Sequence, residues 1–127
     1  LPSRAVRRGR VRAIDDEVTM VNLIRRVLGG INDVVTGTRA ASALERLVNG
    51  EGFDVILCDM MMPQMTGMEF YEELKRIAPD AVESVIFLTG GAFTSSAISF
   101  LEQVPNQKLE KPLDALGLRE VVARRVG

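Results

Sequence analysis

The chain has 127 residues, a formal net charge of −1 and 46% apolar residues. That fits one soluble globular domain with one core and excludes a disordered chain. Its single Cys rules out an internal disulfide, and the complete absence of His removes His-based general-base catalysis, a Ser-His-Asp triad and imidazole metal ligation.

The charge is unevenly spread. Residues 1–12 contain Arg4, Arg7, Arg8, Arg10 and Arg12 and no acid, whereas the rest carries 11 basic and 17 acidic residues, a net of −6. An acidic body argues against binding a phosphate backbone, so no direct nucleic-acid contact is expected of the domain. Residues 1–9, with Pro2, Gly9 and no apolar period, are expected to be a basic linker or the tail of an upstream region; a nucleic-acid arm is the alternative. The missing initiator Met adds the expectation of a longer parent protein. The domain is expected over 10–127. No apolar run approaches the roughly 20 residues of a membrane helix, the chain does not open on a charged-then-apolar stretch that would support secretion, and the single Cys fits a reducing compartment, so no membrane contact and a cytoplasmic setting are expected.

Short apolar runs then alternate with helical patterns. The runs are 11–14, 33–36, 54–58, 85–88 and, weakly, 107–110, rich in Val, Ile and Leu as buried parallel strands are. The first helix, 17–28, places Val21, Ile24 and Leu28 on one side and stops at Gly29-Gly30. The second, 39–48, has the clearest stripe: Ala40, Ala43, Leu44, Leu47 and Val48. The third, 67–78, offers Tyr71, Leu74 and Ile77 and ends at Pro79. The fourth, 93–103, offers Phe93, Ala97, Phe100 and Leu101. The fifth, 113–126, offers Leu118, Val121 and Val122, with Gly117 a weak spot. Five βα units require right-handed crossovers, hence an α/β doubly wound parallel sheet covered on both faces, (βα)5.

Ligands of such sheets sit beyond the carboxyl ends of the strands. There the sequence puts Asp15, Asp16 and Glu17 after the first strand, Asp59 after the third, Thr89, Gly90 and Gly91 after the fourth, and Lys111-Pro112 after the fifth. If strands one and three are neighbours, carboxylates converge, and like charges about 4 Å apart cost roughly 4 kcal/mol per pair at an effective dielectric near 20. Such a cluster needs a cation. With only oxygen ligands at hand, Mg²⁺ is the natural one. A carboxylate, a hard metal, an ammonium and hydroxyl and N–H donors suit phosphoryl transfer onto Asp59. Taken singly, each group has a plainer explanation: the acids as a helix N-cap, Asp59 as a turn residue, Thr89-Gly90-Gly91 as a loop. Four strand ends carrying complementary groups are not explained that way.

These motifs, IDDE (14–17), DVILCDMMMPQMTGMEF (54–70), FLTGG (87–91) and LEKPLD (109–114), closely resemble the receiver domain of two-component response regulators over about 10–126. The resemblance implies a flavodoxin-like strand order, 2-1-3-4-5. It implies that Asp59 takes a phosphoryl group from a histidine kinase or a histidine phosphotransfer domain, and that Asp16 ligates Mg²⁺ directly and Asp15 through water. The carbonyl of Met61 would complete the ligands alongside Asp59. Thr89 and Lys111 would bind the phosphoryl group, as would the backbone N–H groups of Met60 and Gly90, and the Lys111-Pro112 peptide would often be cis. The readout face would be the fourth helix, fifth strand and fifth helix, also a possible homodimer surface. TGGAF and LEKP look most like the receiver at the C-terminus of a hybrid sensor histidine kinase.

Two positions depart from the family pattern. Lys108 stands where receivers carry a rotating Tyr or Phe, which puts the aromatic coupling in doubt. Arg12 lies where the first strand holds an apolar residue; either it snorkels to the sheet edge or the strand begins late. Cys58 reads as a small core residue, and Met60, Met61 and Met62 as packing, not a sulfur metal site. Two other functions compete with this one. A phosphatase working through an aspartyl phosphate would want an acid at position 61, which is Met61. A pseudo-receiver used only for docking would not need every acidic, Thr and Lys position. The domain itself is expected to catalyse at most its own phosphorylation and dephosphorylation.

Overall fold

In the computed structural model, residues 9–90 and 94–126 are described; the linker residues 1–8, Gly91 and Phe93 lie outside them. Strand alternation decides where the helices go. On β1 (Arg10–Ile14), β3 (Val55–Asp59) and β4 (Val85–Thr89), Val11, Ala13, Val55, Leu57, Ile86 and Leu88 point to one face. They meet α1 (Val18–Leu28) and α5 (Ala115–Val126) through Ile24, Leu28, Leu118 and Val122. Ile14, Ile56, Cys58, Val85 and Phe87 point to the other face, against α2 (Ala40–Val48), α3 (Gly67–Ile77) and α4 (Ser95–Gln103). Adding β2 (Asp33–Gly37) and β5 (Lys108–Glu110) gives five parallel strands in the order β2-β1-β3-β4-β5, as expected. No helix among the described residues is long and apolar enough to cross a membrane.

Local chemistry fixes the helix starts. Thr66 and Glu69 form a reciprocal capping box on α3, with Glu69 N–H donating to Thr66 Oγ1 at 3.2 Å and Thr66 N–H to Glu69 Oε1 at 3.0 Å. Thr94 caps α4 by accepting from Ala97 N–H at 3.1 Å. Asp114 does the same for α5, accepting from Gly117 N–H at 2.9 Å. The close cap explains Gly117: a Cβ there would lie 3.1 Å from Asp114 Oδ2. Gly50, after α2, has φ +89°, which a side chain would strain.

Away from the strand ends, the structure departs from the sequence expectations in the following places. A 3₁₀ helix, Pro79–Ser84, follows α3, where Pro79 alone signals only a stop. Val48 is 62% exposed because α2 ends there, beyond the sheet it covers. Gly9, assigned to the linker, is buried, and its carbonyl accepts from Asp33 N–H at 2.9 Å, so it belongs to the fold. Arg12 neither starts the strand late nor reaches solvent: it lies mid-strand, 3% exposed, with Nη2 over Gly37, where a Cβ would come within 2.6 Å of it.

A closed ring cluster underlies α4. Tyr71 packs against Phe87 (centroids 5.7 Å apart) and Phe100 (5.3 Å), and Phe87 against Phe100 (5.4 Å). The Tyr71 hydroxyl donates to Asn106 Oδ1 at 3.2 Å, and Asn106 Nδ2 donates to the carbonyls of Val82 and Val85, both at 2.8 Å. Asn106 thereby pins the segment before β5 to α3 and β4. Lys108 at the start of β5 is exposed.

Candidate functional site

Register assembles the site. Ile14 pairs with Cys58, so the next residues, Asp15 and Asp59, lie side by side at the carboxyl edge. Asp59 pairs with Leu88, so Thr89 follows on the next strand. Thr89 pairs with Glu110, so Lys111 comes next. Four separate stretches of chain are thus delivered to one edge by in-register parallel pairing.

One carboxylate oxygen each from Asp15, Asp16 and Asp59 lies within 4.8 Å of the others. Lys111 Nζ sits between two of these acids, 2.7 Å from Asp15 Oδ2 and 3.3 Å from Asp59 Oδ1. Asp15 is wholly buried and its Oδ1 accepts from Glu17 N–H at 2.9 Å; Asp16 is exposed. Asp59 is 5% exposed. Burial, then the negative charge of Asp15, push its carboxyl up to about 6, against the pull of Lys111 and the Met61 N–H. At Lys111 burial works to lower the ammonium pKa, but the bonds to Asp15 and Asp59 outweigh it and the net shift is upward. Burial also pushes the Cys58 thiol up, so it stays a neutral core group.

The remaining residues of the expected site divide. Thr89 is buried at the end of β4, its hydroxyl donating to the Leu109 carbonyl at 3.4 Å. Gly90 follows it, where a Cβ would lie 2.9 Å from Lys111 Cβ, so a glycine lets this loop and Lys111 approach closely. Lys111-Pro112 is cis. Met60 differs from expectation. Strand pairing runs one residue past Asp59, so the Met60 N–H is spent on the Leu88 carbonyl at 3.2 Å. It is the Met61 N–H that faces the carboxylate, 3.4 Å from Asp59 Oδ1.

The edge opens into a cleft of about 520 Å³ lined by Asp16, Asp59, Met61, Gly90 and Lys111, and also by Glu17 and Met20. Met20 carries no chemistry that would single it out in the sequence; it lines the cleft because it lies in the first turn of α1, just after the N-cap Glu17. The donor set is all oxygen, held close together, and carries an excess of negative charge. It suits a hard divalent cation.

Comparison with known proteins agrees with this architecture. The sequence profile described as "Response regulator receiver domain" matches residues 11–123. A protein-glutamate methylesterase/protein-glutamine glutaminase 1 of Caulobacter vibrioides is 32% identical over 92% of this chain, which covers 34% of that protein. Sensor protein GacS of Pseudomonas syringae pv. syringae is 26% identical over 99% of this chain, which covers 14% of it. The chain therefore spans a minor part of these curated relatives. Among solved structures, a response regulator receiver domain protein from Clostridium thermocellum superimposes with a TM-score of 0.79 at 30% identity, over 93% of this chain and 94% of the other.

Proposed function

Because the chain belongs to the response regulator receiver domain family, a module of two-component signalling, we propose that Asp59 is its phosphoacceptor. The observation that carries this reading is the shared ammonium: Lys111 Nζ holds Asp59 at 3.3 Å and Asp15 at 2.7 Å, beside a third carboxylate, Asp16. The donor is a phosphohistidine on a histidine kinase or a histidine phosphotransfer domain. An Asp59 carboxylate oxygen forms a bond to phosphorus while the P–N bond breaks, and the electron pair leaves on the imidazole nitrogen.

The chain's own groups steady the charge. Lys111 neutralises the phosphoryl oxygens, the Thr89 hydroxyl turns from Leu109 to one of them, and the N–H groups of Met61 and Gly90 donate to the others. Mg²⁺ is the proposed cofactor, held by Asp16, Asp59, the Met61 carbonyl and, through water, Asp15; it supplies charge neutralisation of the transferring group. Readout is assigned to the face of α4, β5 and α5, the proposed surface for a partner or a second copy. The long alignment with a sensor protein of which this chain covers 14% supports a place within a larger sensor kinase; a cytoplasmic setting is proposed with it.

Incubation with acetyl phosphate and Mg²⁺ followed by intact-protein mass spectrometry tests the proposal. The expected result is gain of one phosphoryl group, lost in Asp59→Asn and after chelation. Retention of the modification in Asp59→Asn refutes the assignment.

A further inference from the structure

Glu17 stands at the mouth of the same cleft, outside the three-carboxylate cluster. Its sequence position suggests a helix cap, yet as the N-cap residue of α1 its side chain makes no cap hydrogen bond. Its backbone N–H is committed to Asp15 Oδ1, and its carboxylate turns toward Lys111, with Oε1 3.8 Å from Nζ. The side chain is 61% exposed, so it contributes little as an ion pair. What it does provide is a negative charge at the cleft mouth, beside the path by which a phosphoryl donor would enter.

We propose that Glu17 selects phosphoryl donors by the charge on their leaving group, favouring N-phosphorylated donors over acyl phosphates. The inference rests on Asp59 being the acceptor. In-line transfer puts the leaving group on the side of phosphorus away from Asp59, toward the cleft mouth. With phosphoramidate or a phosphohistidine, the leaving nitrogen carries a proton. As the Asp59 O–P bond forms, the P–N pair passes to nitrogen, and a neutral amine or imidazole departs from what was a positively charged centre. With acetyl phosphate the P–O pair leaves on acetate, and negative charge grows toward the Glu17 carboxylate. Both leaving groups gain electron density. Measured against the free donor, however, the nitrogen still holds part of its positive charge at the transition state, while the acyl oxygen holds negative charge. With donor below saturation, one carboxylate therefore raises the second-order rate of the first and lowers that of the second. An exposed charge of this kind is worth a few-fold on each rate, so about three- to tenfold on their ratio.

The test measures phosphorylation rates of the whole chain by intact-protein mass spectrometry with Mg²⁺, using acetyl phosphate and phosphoramidate in parallel. Glu17→Gln is expected to raise the acetyl phosphate to phosphoramidate rate ratio about three- to tenfold at low salt, Glu17→Lys to raise it further, and about 0.5 M salt to shrink both effects. A ratio unchanged in both variants, or both donors moved by one common factor, overturns the inference while leaving Asp59 as acceptor. A wild-type chain inert to both donors refutes the acceptor reading, and this inference with it.

Discussion

The Asp59 carboxylate should weigh against folding when no metal neutralises it. Its pKa is raised from 3.8 to about 6, and at about 1.36 kcal/mol per unit this corresponds to about 3 kcal/mol. The sign follows from linkage. A carboxyl raised in the folded state binds its proton more tightly there than when unfolded, so the associated stability is fully present below 3.8 and is lost as pH rises through about 6. Asp59→Asn, similar in shape and uncharged, does not suffer this loss. In chelator-treated protein the variant should match wild type near pH 4 and exceed it by about 3 kcal/mol above about pH 6.5, or roughly 10 °C in Tm for a domain of this size. The chain has no Trp, so far-ultraviolet circular dichroism is the suitable probe for urea unfolding across that pH range. Added Mg²⁺ should close the gap at high pH, because it stabilises the wild-type carboxylate and has one ligand fewer in the variant. A difference independent of pH, or a wild type more stable than Asp59→Asn at pH 7.5 without metal, would show that the carboxylate is not held at this cost.

Three further outcomes are expected. Asn106→Ala removes three hydrogen bonds at once and leaves two carbonyls and the Tyr71 hydroxyl without those partners, so urea unfolding should show a loss of about 3 kcal/mol, against about 1 kcal/mol for Tyr71→Phe. Met61→Asn places an amide beside the phosphoryl group where a thioether cannot orient water; loss of phosphoryl from Asp59, followed by mass spectrometry, should accelerate about three- to tenfold, the worth of one hydrogen bond. Gly37→Ala should destabilise the wild type, because its Cβ meets Arg12 Nη2 at 2.6 Å, and should be tolerated in Arg12→Leu; a coupling below about 0.5 kcal/mol in the double-mutant cycle counts against that contact.

Much of this arrangement was legible because parallel strands leave a simple signature. A run such as Val85 to Leu88, apolar at every position, makes sense only if both faces are covered, and polar residues at successive strand ends then share one edge. Register was less legible. Nothing in the Met60-Met61-Met62 run says that pairing continues one residue past Asp59, which is what commits the Met60 N–H to the sheet and leaves Met61 facing the carboxylate. Contacts between distant positions were also hidden. Arg12 lies mid-strand with its Nη2 against residue 37 of the neighbouring strand, which lacks a side chain, and neither residue alone signals the other. Burial lowers the Arg12 pKa and Arg46 lowers it further, yet Nε has no hydrogen-bond partner. Asn106 likewise looks like an ordinary loop residue until its amide is seen between two backbone carbonyls.

The distribution of charge ties the site to its occupants. Asp15, Asp16, Glu17 and Asp59 bring four negative charges around Lys111. A divalent cation held there would offset two of them, and the proposed phosphorylation of Asp59 would add charge back in the same place. On the proposed reading, metal and phosphoryl group would depend on each other: the modified carboxyl would offer oxygens for the cation to neutralise, and without it the same oxygens would face Asp15 and Asp16 unscreened. Since Lys111 already spans Asp15 and Asp59, it has to share its positive charge with a phosphoryl oxygen when one arrives. That redistribution would take place next to the Thr89 hydroxyl and the Leu109 carbonyl it now binds, where a change at the site would be passed to β4 and β5.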